Sequence, residues 1–225
     1  MNWSKTLTST KKYILISILF LSFFTFVFAK FADELVEADL FHFDQTIINW
    51  IGTFVKPQLT SMMKFFTFFG SPLALILFLI ISVSWMVWQK KRWESLFLVI
   101  AIAGGGLFNQ LLKWIFHRQR PTLHRLIQET GYSFPSGHSM ISFVFYGMIC
   151  MLLMVFLKSR TPKVIVIIST VIMVVMVGMS RIYLGVHYPS DVLAGYAAGG
   201  AWLMICLIGL RLVLETREKN RGEKN

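Results

Sequence analysis

The sequence predicts an all-α polytopic membrane protein, with six transmembrane helices and both termini cytoplasmic, on three observations. The 225 residues are 56% hydrophobic and only 15% charged, against the ~45–50% apolar content of soluble domains, and the mean hydropathy is +0.64. Six apolar runs approach the ~20 residues that carry a helix across the hydrocarbon core. Lys and Arg are dense in every second connection, the pattern of the positive-inside rule. The length suits one membrane-embedded domain over residues 1–225.

The runs are Tyr13–Ala29, Pro72–Trp88, Ser95–Ile115, Met140–Leu157, Val164–Met179 and Val192–Leu214. The first resembles a signal peptide, with Lys11 and Lys12 ahead of it. Its apolar stretch exceeds the ~7–15 residues of a signal, and Ala29-Lys30-Phe31-Ala32 is a poor cleavage site, so a retained helix is expected. Between the first two runs, Ile47, Ile48, Ile51, Phe54 and Val55 recur at helical spacing. This 41–55 segment reads as an amphipathic connector along the interface, with a border to a lateral lipid passage as the second reading. The first, second and fifth runs are short and borrow flanking residues. Val164–Met179 is rich in β-branched residues, but in lipid an unpaired strand leaves its backbone unsatisfied, so a helix is expected. Cys150 and Cys206 fall inside apolar runs and read as small buried hydrophobes.

With the N-terminus inside, the inner segments hold Lys5, Lys11 and Lys12, then Lys90, Lys91 and Arg92, then Lys158, Arg160 and Lys163, then Arg211, Arg217, Lys219, Arg221 and Lys224. The outer segments are poorer in cations, and the first carries Asp33, Glu34, Glu37, Asp39 and Asp44. The exceptions are Lys113, Arg118, Arg120, Arg125 and Arg181, which crowd into the third and fifth connections. Positive charge placed against the topological preference calls for an anionic ligand at the outer interface. The formal net charge of +11 does not imply nucleic acid, because the cations form short groups between apolar runs rather than one basic face.

Three stretches hold the chemistry. In Lys113-Trp-Ile-Phe-His-Arg-Gln-Arg120-Pro121, a helix running up to Pro121 would set Lys113 and Arg120 two turns apart on one face, ~10.5 Å between Cα atoms. Alone, such a cluster is as well a snorkelling anchor. In Pro135-Ser136-Gly137-His138, Ser136 is placed to cap the fourth transmembrane helix, and its first-turn N–H groups make an anion site beside His138. Ordinary capping accounts for this stretch equally well when it stands alone. In Ser180-Arg181-x5-His187-x3-Asp191, Pro189 suits the first helical turn. Asp191 then leans back toward His187, where a carboxylate on one imidazole nitrogen leaves the other free to attack; taken alone, a surface histidine beside a capping Asp is the competing reading. On the predicted topology, all three stretches meet at the outer ends of the third to sixth transmembrane helices.

Lys-x6-Arg-Pro, Pro-Ser-Gly-His and Ser-Arg-x5-His-x3-Asp, in this order, resemble the signature motifs of the type-2 phosphatidic acid phosphatase superfamily. The resemblance implies a membrane phosphatase acting on a lipid phosphate or diphosphate, with His187, His138 and Asp191 as the catalytic set. His187 would form a phosphohistidine, Asp191 would orient it, and His138 would serve as acid and then base. Lys113, Arg120, Arg181, Ser136 and Gly137 would hold the phosphoryl oxygens. No metal or cofactor is implied, since fixed cations replace the carboxylate cluster of metal-dependent phosphatases. Undecaprenyl diphosphate is the expected substrate, ahead of phosphatidylglycerophosphate, phosphatidic acid and diacylglycerol diphosphate. A transporter would set its ionisable groups near the midplane, and a non-catalytic lipid-binding relative would be expected to lose a histidine or Asp191.

Overall fold

The computed structural model describes residues 10–37, 39–122 and 125–222. Among them the chain forms eight helices: α1 Thr10–Val36, α2 Leu40–Gly52, α3 Pro57–Phe69, α4 Pro72–Trp88, α5 Arg92–Phe116, α6 Gly137–Phe156, α7 Arg160–Tyr183 and α8 Pro189–Gly222. Five of these, α1 and α5 to α8, are long and apolar enough to cross a membrane. The helices α3 and α4 together pass the same test as a broken span bent by 47°, which brings the spans to six. Arg211 of α8 reaches Thr10 of α1 at 2.9 Å, so the start of α1 and the later part of α8 lie at one end of the bundle.

Each expected run has its helix: four gain residues at both ends, Pro72–Trp88 coincides with α4, and Met140–Leu157 runs one residue past the end of α6 at Phe156. The β-branched fifth run lies inside α7, where every backbone group can bond along the helix. The apolar sequence 57–69 was not read as an element, because Lys64 interrupts its hydropathy and Gly70-Ser71-Pro72 breaks it from α4. Ser71 caps α4, its side chain accepting from Ala74 N at 3.3 Å. The sharp bend follows from that second N-terminus and from Pro72, which has no N–H to continue α3.

The long helix α8 is the hub, packed against α1, α6, α5, α2 and α7. Small residues make this approach possible. A Cβ on Gly195 would lie 2.8 Å from the Ser136 carbonyl oxygen, and one on Gly199 would lie 2.7 Å from that of Met140. In lipid there is no hydrophobic drive between helices, so such close contact replaces it. The buried apolar core runs along α5, α6 and α8, from Leu98 and Val144 to Leu203 and Leu210. Leu19, Ile80 and Ile172 are more than half exposed and form part of an apolar outer surface suited to acyl chains rather than water.

Of the 41–55 segment, Ile48 and Ile51 are buried while Phe54 and Val55 are exposed. Ile51 and Ile47 join a second core with Ile182, Tyr183, Leu184 and Val186, so α2 covers the ends of α7 and α8.

Gly195→Val should cost about 1–3 kcal/mol through overpacking of α6 against α8 and lower the midpoint of thermal unfolding in detergent. Gly52→Ala, where an added Cβ meets nothing within 4 Å, should leave that midpoint unchanged within error.

Candidate active site

The polar stretches converge at one end of the bundle, where α5 and α7 finish and α6 and α8 begin. Beneath them lies a cavity of about 1000 Å³ lined by Lys113, Arg120, Gly137, His138, Arg181 and His187. Below this polar head, the walls are Leu75, Ile76 and Leu79 of α4 and Ile102, Ala103, Gly106 and Leu107 of α5. A charged head thus opens into an apolar trough between two helices. No residue of the 41–55 segment lines this cavity, whose trough is walled by α4 and α5.

His187 sits in the turn before α8 and is almost wholly buried. Its Nδ1 lies 3.4 Å from Asp191 Oδ2 and 3.3 Å from Ser133 Oγ. Its Nε2 lies 3.1 Å from Arg120 Nη1, which can only donate, so the geometry fits an Nδ1–H tautomer with a bare Nε2. Asp191 is fully buried and also accepts from Tyr188 N at 2.8 Å, from Arg118 Nη1 at 2.6 Å and from Ser133 Oγ. The Tyr188 bond is half of a capping box, the third helical residue reaching back to the residue ahead of the helix.

Each cation is fixed differently. Helix α5 ends at Phe116 and not at Pro121, because His117 takes the left-handed conformation, φ 48°, that closes a helix C-terminus. Arg120 therefore reaches the cavity from a loop, one turn earlier than expected. Its guanidinium donates to the carbonyls of Gly131, Thr130 and Val186 at 2.9, 3.0 and 2.9 Å. Lys113 stays on α5 and donates to the Tyr132 carbonyl. Arg181 is 1% exposed and donates to Thr67 Oγ1 at 2.7 Å and to Glu129 Oε1 at 2.5 Å. Its Nε is a buried donor without a hydrogen-bond partner among the described residues.

Gly137 and Ser136 serve differently from one another. Gly137 lines the cavity, and a Cβ there would come within 2.9 Å of Asn109 Oδ1. Asn109 also donates to the Pro135 carbonyl at 3.2 Å, which pins the turn onto α5. Ser136 was expected to hold phosphate, but it does not line the cavity. Its hydroxyl caps α6 at Ser139 N, and its own N–H donates to the Asp191 carbonyl at 2.9 Å. Both polar groups are already used in building the site.

Sequence reasoning missed Ser133, Glu129, Thr67 and the pairing of Arg118 with Asp44. Arg118 stood out only as one of the outer cations, and Asp44 left a signal of its own: it shares the helical face of Ile47, Ile48 and Ile51, where a carboxylate must find a buried partner.

A multi-pass bundle with this histidine–carboxylate pair, a second histidine and three cations at the head of an apolar trough defines a membrane-embedded lipid phosphatase. Residues 94–212 match the PAP2 superfamily. Phosphatidylglycerophosphatase B of Bacillus subtilis is 36% identical over 146 residues, 64% of this chain and 71% of that protein. The chain belongs to the PAP2 superfamily. An undecaprenyl-diphosphatase of Sulfolobus acidocaldarius is 32% identical over 124 residues, 52% of this chain and 55% of that protein. Among solved structures, a transmembrane PAP2 type phosphatidylglycerolphosphate phosphatase from Bacillus subtilis superposes with a TM-score of 0.73 at 29% identity, covering 85% of this chain and 94% of that one.

Burial holds the His187 imidazole down to about 4, against the opposing pull of Asp191 and with help from Arg181 and Arg120. A lowered histidine stays neutral until the pH falls to that value. If neutral Nε2 is what reacts, the acid limb of kcat/KM set by the free protein should lie near pH 4 rather than near the ordinary ~6.5. The pH profile, with histidine NMR as a direct check, tests this; protonation of His187 at about pH 6.5 would contradict it.

Proposed function

We propose that this protein hydrolyses a phosphate or diphosphate terminating a long lipid, without a metal, through a phosphohistidine on His187. The observation that carries this reading is the single cavity that joins His187, His138 and three cations to an apolar trough. A headgroup fits the polar end and an acyl or isoprenoid chain fits the walls of α4 and α5.

The chemistry follows from the placement. The bare Nε2 of His187 attacks phosphorus, and the bond from phosphorus to the leaving oxygen breaks. His138 gives that oxygen its proton, so the lipid leaves as an alcohol or as the shorter phosphate. Asp191 keeps Nδ1–H aligned and balances the positive imidazole of the phosphohistidine. His138, now neutral, takes a proton from water, whose oxygen attacks phosphorus and frees His187 as inorganic phosphate forms. Arg181 offers its unpartnered Nε to a phosphoryl oxygen, while Lys113 and Arg120 neutralise the rest. These cations supply the charge that a metal supplies elsewhere.

The side of the membrane is read from the basic residues. Lys90, Lys91, Arg92, Lys158, Arg160 and Lys163 border the end of the bundle away from the site, so the positive-inside rule puts that end and both termini in the cytoplasm. The site then faces outward. Phosphatidylglycerophosphate is favoured as substrate by the 36% identical relative and the superposed structure; undecaprenyl diphosphate, expected from the sequence, is the second reading and is supported by the Sulfolobus acidocaldarius relative.

Purified protein in detergent should release inorganic phosphate from one of these lipids faster than from phosphatidic acid or diacylglycerol diphosphate, and a panel of the four decides which. His187→Ala should abolish the acid-labile phosphoenzyme and reduce turnover by a factor of about 10³ or more; a labelled phosphoenzyme in that variant would overturn the nucleophile. Activity should survive EDTA, and loss on chelation with recovery on adding Mg²⁺ would refute the metal-free scheme.

A further inference from the structure

We propose that Arg118 and Asp44, residues outside the motif positions, form a brace that positions Asp191 and thereby sets how well His187 is held for attack. The proposal rests on the reading of Asp191 as the partner of His187.

Arg118 enters from the loop after α5 and is clamped between two buried carboxylates from different helices. Its Nη2 lies 2.7 Å from Asp44 Oδ2, and its Nη1 lies 2.6 Å from Asp191 Oδ1 and 2.7 Å from Ser190 Oγ. Asp44 is 1% exposed and Asp191 is 0% exposed. The guanidinium also stacks over the Tyr188 ring, 4.1 Å from its centroid, which fixes the plane of its forked donors.

The two oxygens of Asp191 are divided between neighbours. Oδ2 faces His187, Tyr188 N and Ser133, whereas Oδ1 faces Arg118. A carboxylate held on only one oxygen can rotate about its last torsion, and His187 Nδ1 would lose its aligned acceptor. Arg118 prevents this from the far side. It also acts through its backbone, since its carbonyl accepts from Ser133 N at 2.8 Å, and Ser133 Oγ donates to Asp191 Oδ2. One residue therefore holds Asp191 directly and sets the second residue that holds it.

Asp44 completes the brace from α2. Its Oδ1 accepts from Ser190 N at 2.9 Å and its Oδ2 from Ser190 Oγ at 2.7 Å. It is thus an anion at the N-terminus of α8, where helix dipole and free N–H groups favour one. It fixes Arg118 and the first turn of α8, which carries Asp191, in one contact. Neither Arg118 nor Asp44 lines the cavity, so both act on His187 through Asp191 rather than on the substrate.

The test is a set of cycles read by kcat and KM on the best lipid of the panel, with thermal midpoints measured alongside. Arg118→Gln should lower kcat about 10- to 100-fold with KM within about twofold of the parent, and Arg118→Lys should recover part of the loss. Asp44→Asn, which keeps the shape, should lower kcat about 3- to 10-fold. Asp191→Asn alone should lower kcat strongly, and adding Arg118→Gln to it should cost no more than about twofold further, because coupled residues are non-additive. Full additivity in the Asp191→Asn background, or a raised KM at unchanged kcat, would overturn the brace. An Asp191→Asn variant of parental kcat would instead overturn the underlying His187–Asp191 reading. Where Arg118→Gln does not fold, Asp44→Asn and Arg118→Lys carry the same cycle.

Discussion

Asp191 is an acid with no exposed surface, lying against His187 and Arg118, and the rest of the site is arranged around that constraint. A buried carboxylate is tolerated only with its oxygens fully bonded. Its donors come from separate parts of the chain: Arg118 and Ser133 from the loop joining α5 to α6, and His187 and Tyr188 from the turn before α8. Satisfying one carboxylate therefore fixes the loop after α5 and the entrance to α8 in mutual register. The Asp191 carbonyl then accepts from Ser136 N, which places the start of α6 and with it His138. The convergence of distant motifs follows from closing these bonds.

Such closure needs backbones that approach nearly to contact, and α8 supplies the surface for it. Gly195 stands against the Ser136 carbonyl and Gly199 against that of Met140, so the start of α6 approaches α8 nearly backbone to backbone. Asn109 does the same work from α5, meeting Gly137 and Pro135. The Pro-Ser-Gly-His turn is thus held between α5 and α8 by small residues and side-chain amides. Its glycine is explained by crowding from Asn109. Beside the turn, the trough opens between α4 and α5.

Hydropathy made the spans legible because lipid imposes a length and a composition on each of them. Motif spacing made His187, His138, Asp191, Lys113, Arg120 and Arg181 legible as a group. What failed to show was whatever depended on backbone detail. The left-handed turn at His117 stops α5 early and sends Arg120 in from a loop, but no glycine marks it. Helix α3 was hidden by Lys64 and by the break at Gly70, and with it went Thr67, the partner of Arg181. Ser136 was legible as a cap, but the commitment of its N–H to Asp191 depends on a contact 55 residues away along the chain. Asp44 was the exception, a charge on an apolar face whose partner only the fold could name.

The cations show how the site prepares for an anion without collapsing onto its own acids. Arg181 is as buried as Asp191, but it is left incompletely bonded: Thr67 and Glu129 take two donors, and Nε has none. A buried donor left unpaired costs about 1–3 kcal/mol, and a phosphoryl oxygen that reached it would recover that energy on binding. Glu129 offsets the rest. Burial would raise its carboxyl, but Arg181 draws it below the ordinary carboxylate range, so it remains an anion at the mouth of the cavity. Asp191 and Asp44 cannot take its place, because both are turned onto Arg118. Keeping these two acids on Arg118 leaves Lys113, Arg120 and Arg181 with positive charge to spare on the cavity side, a separation of charge that suits an anion there.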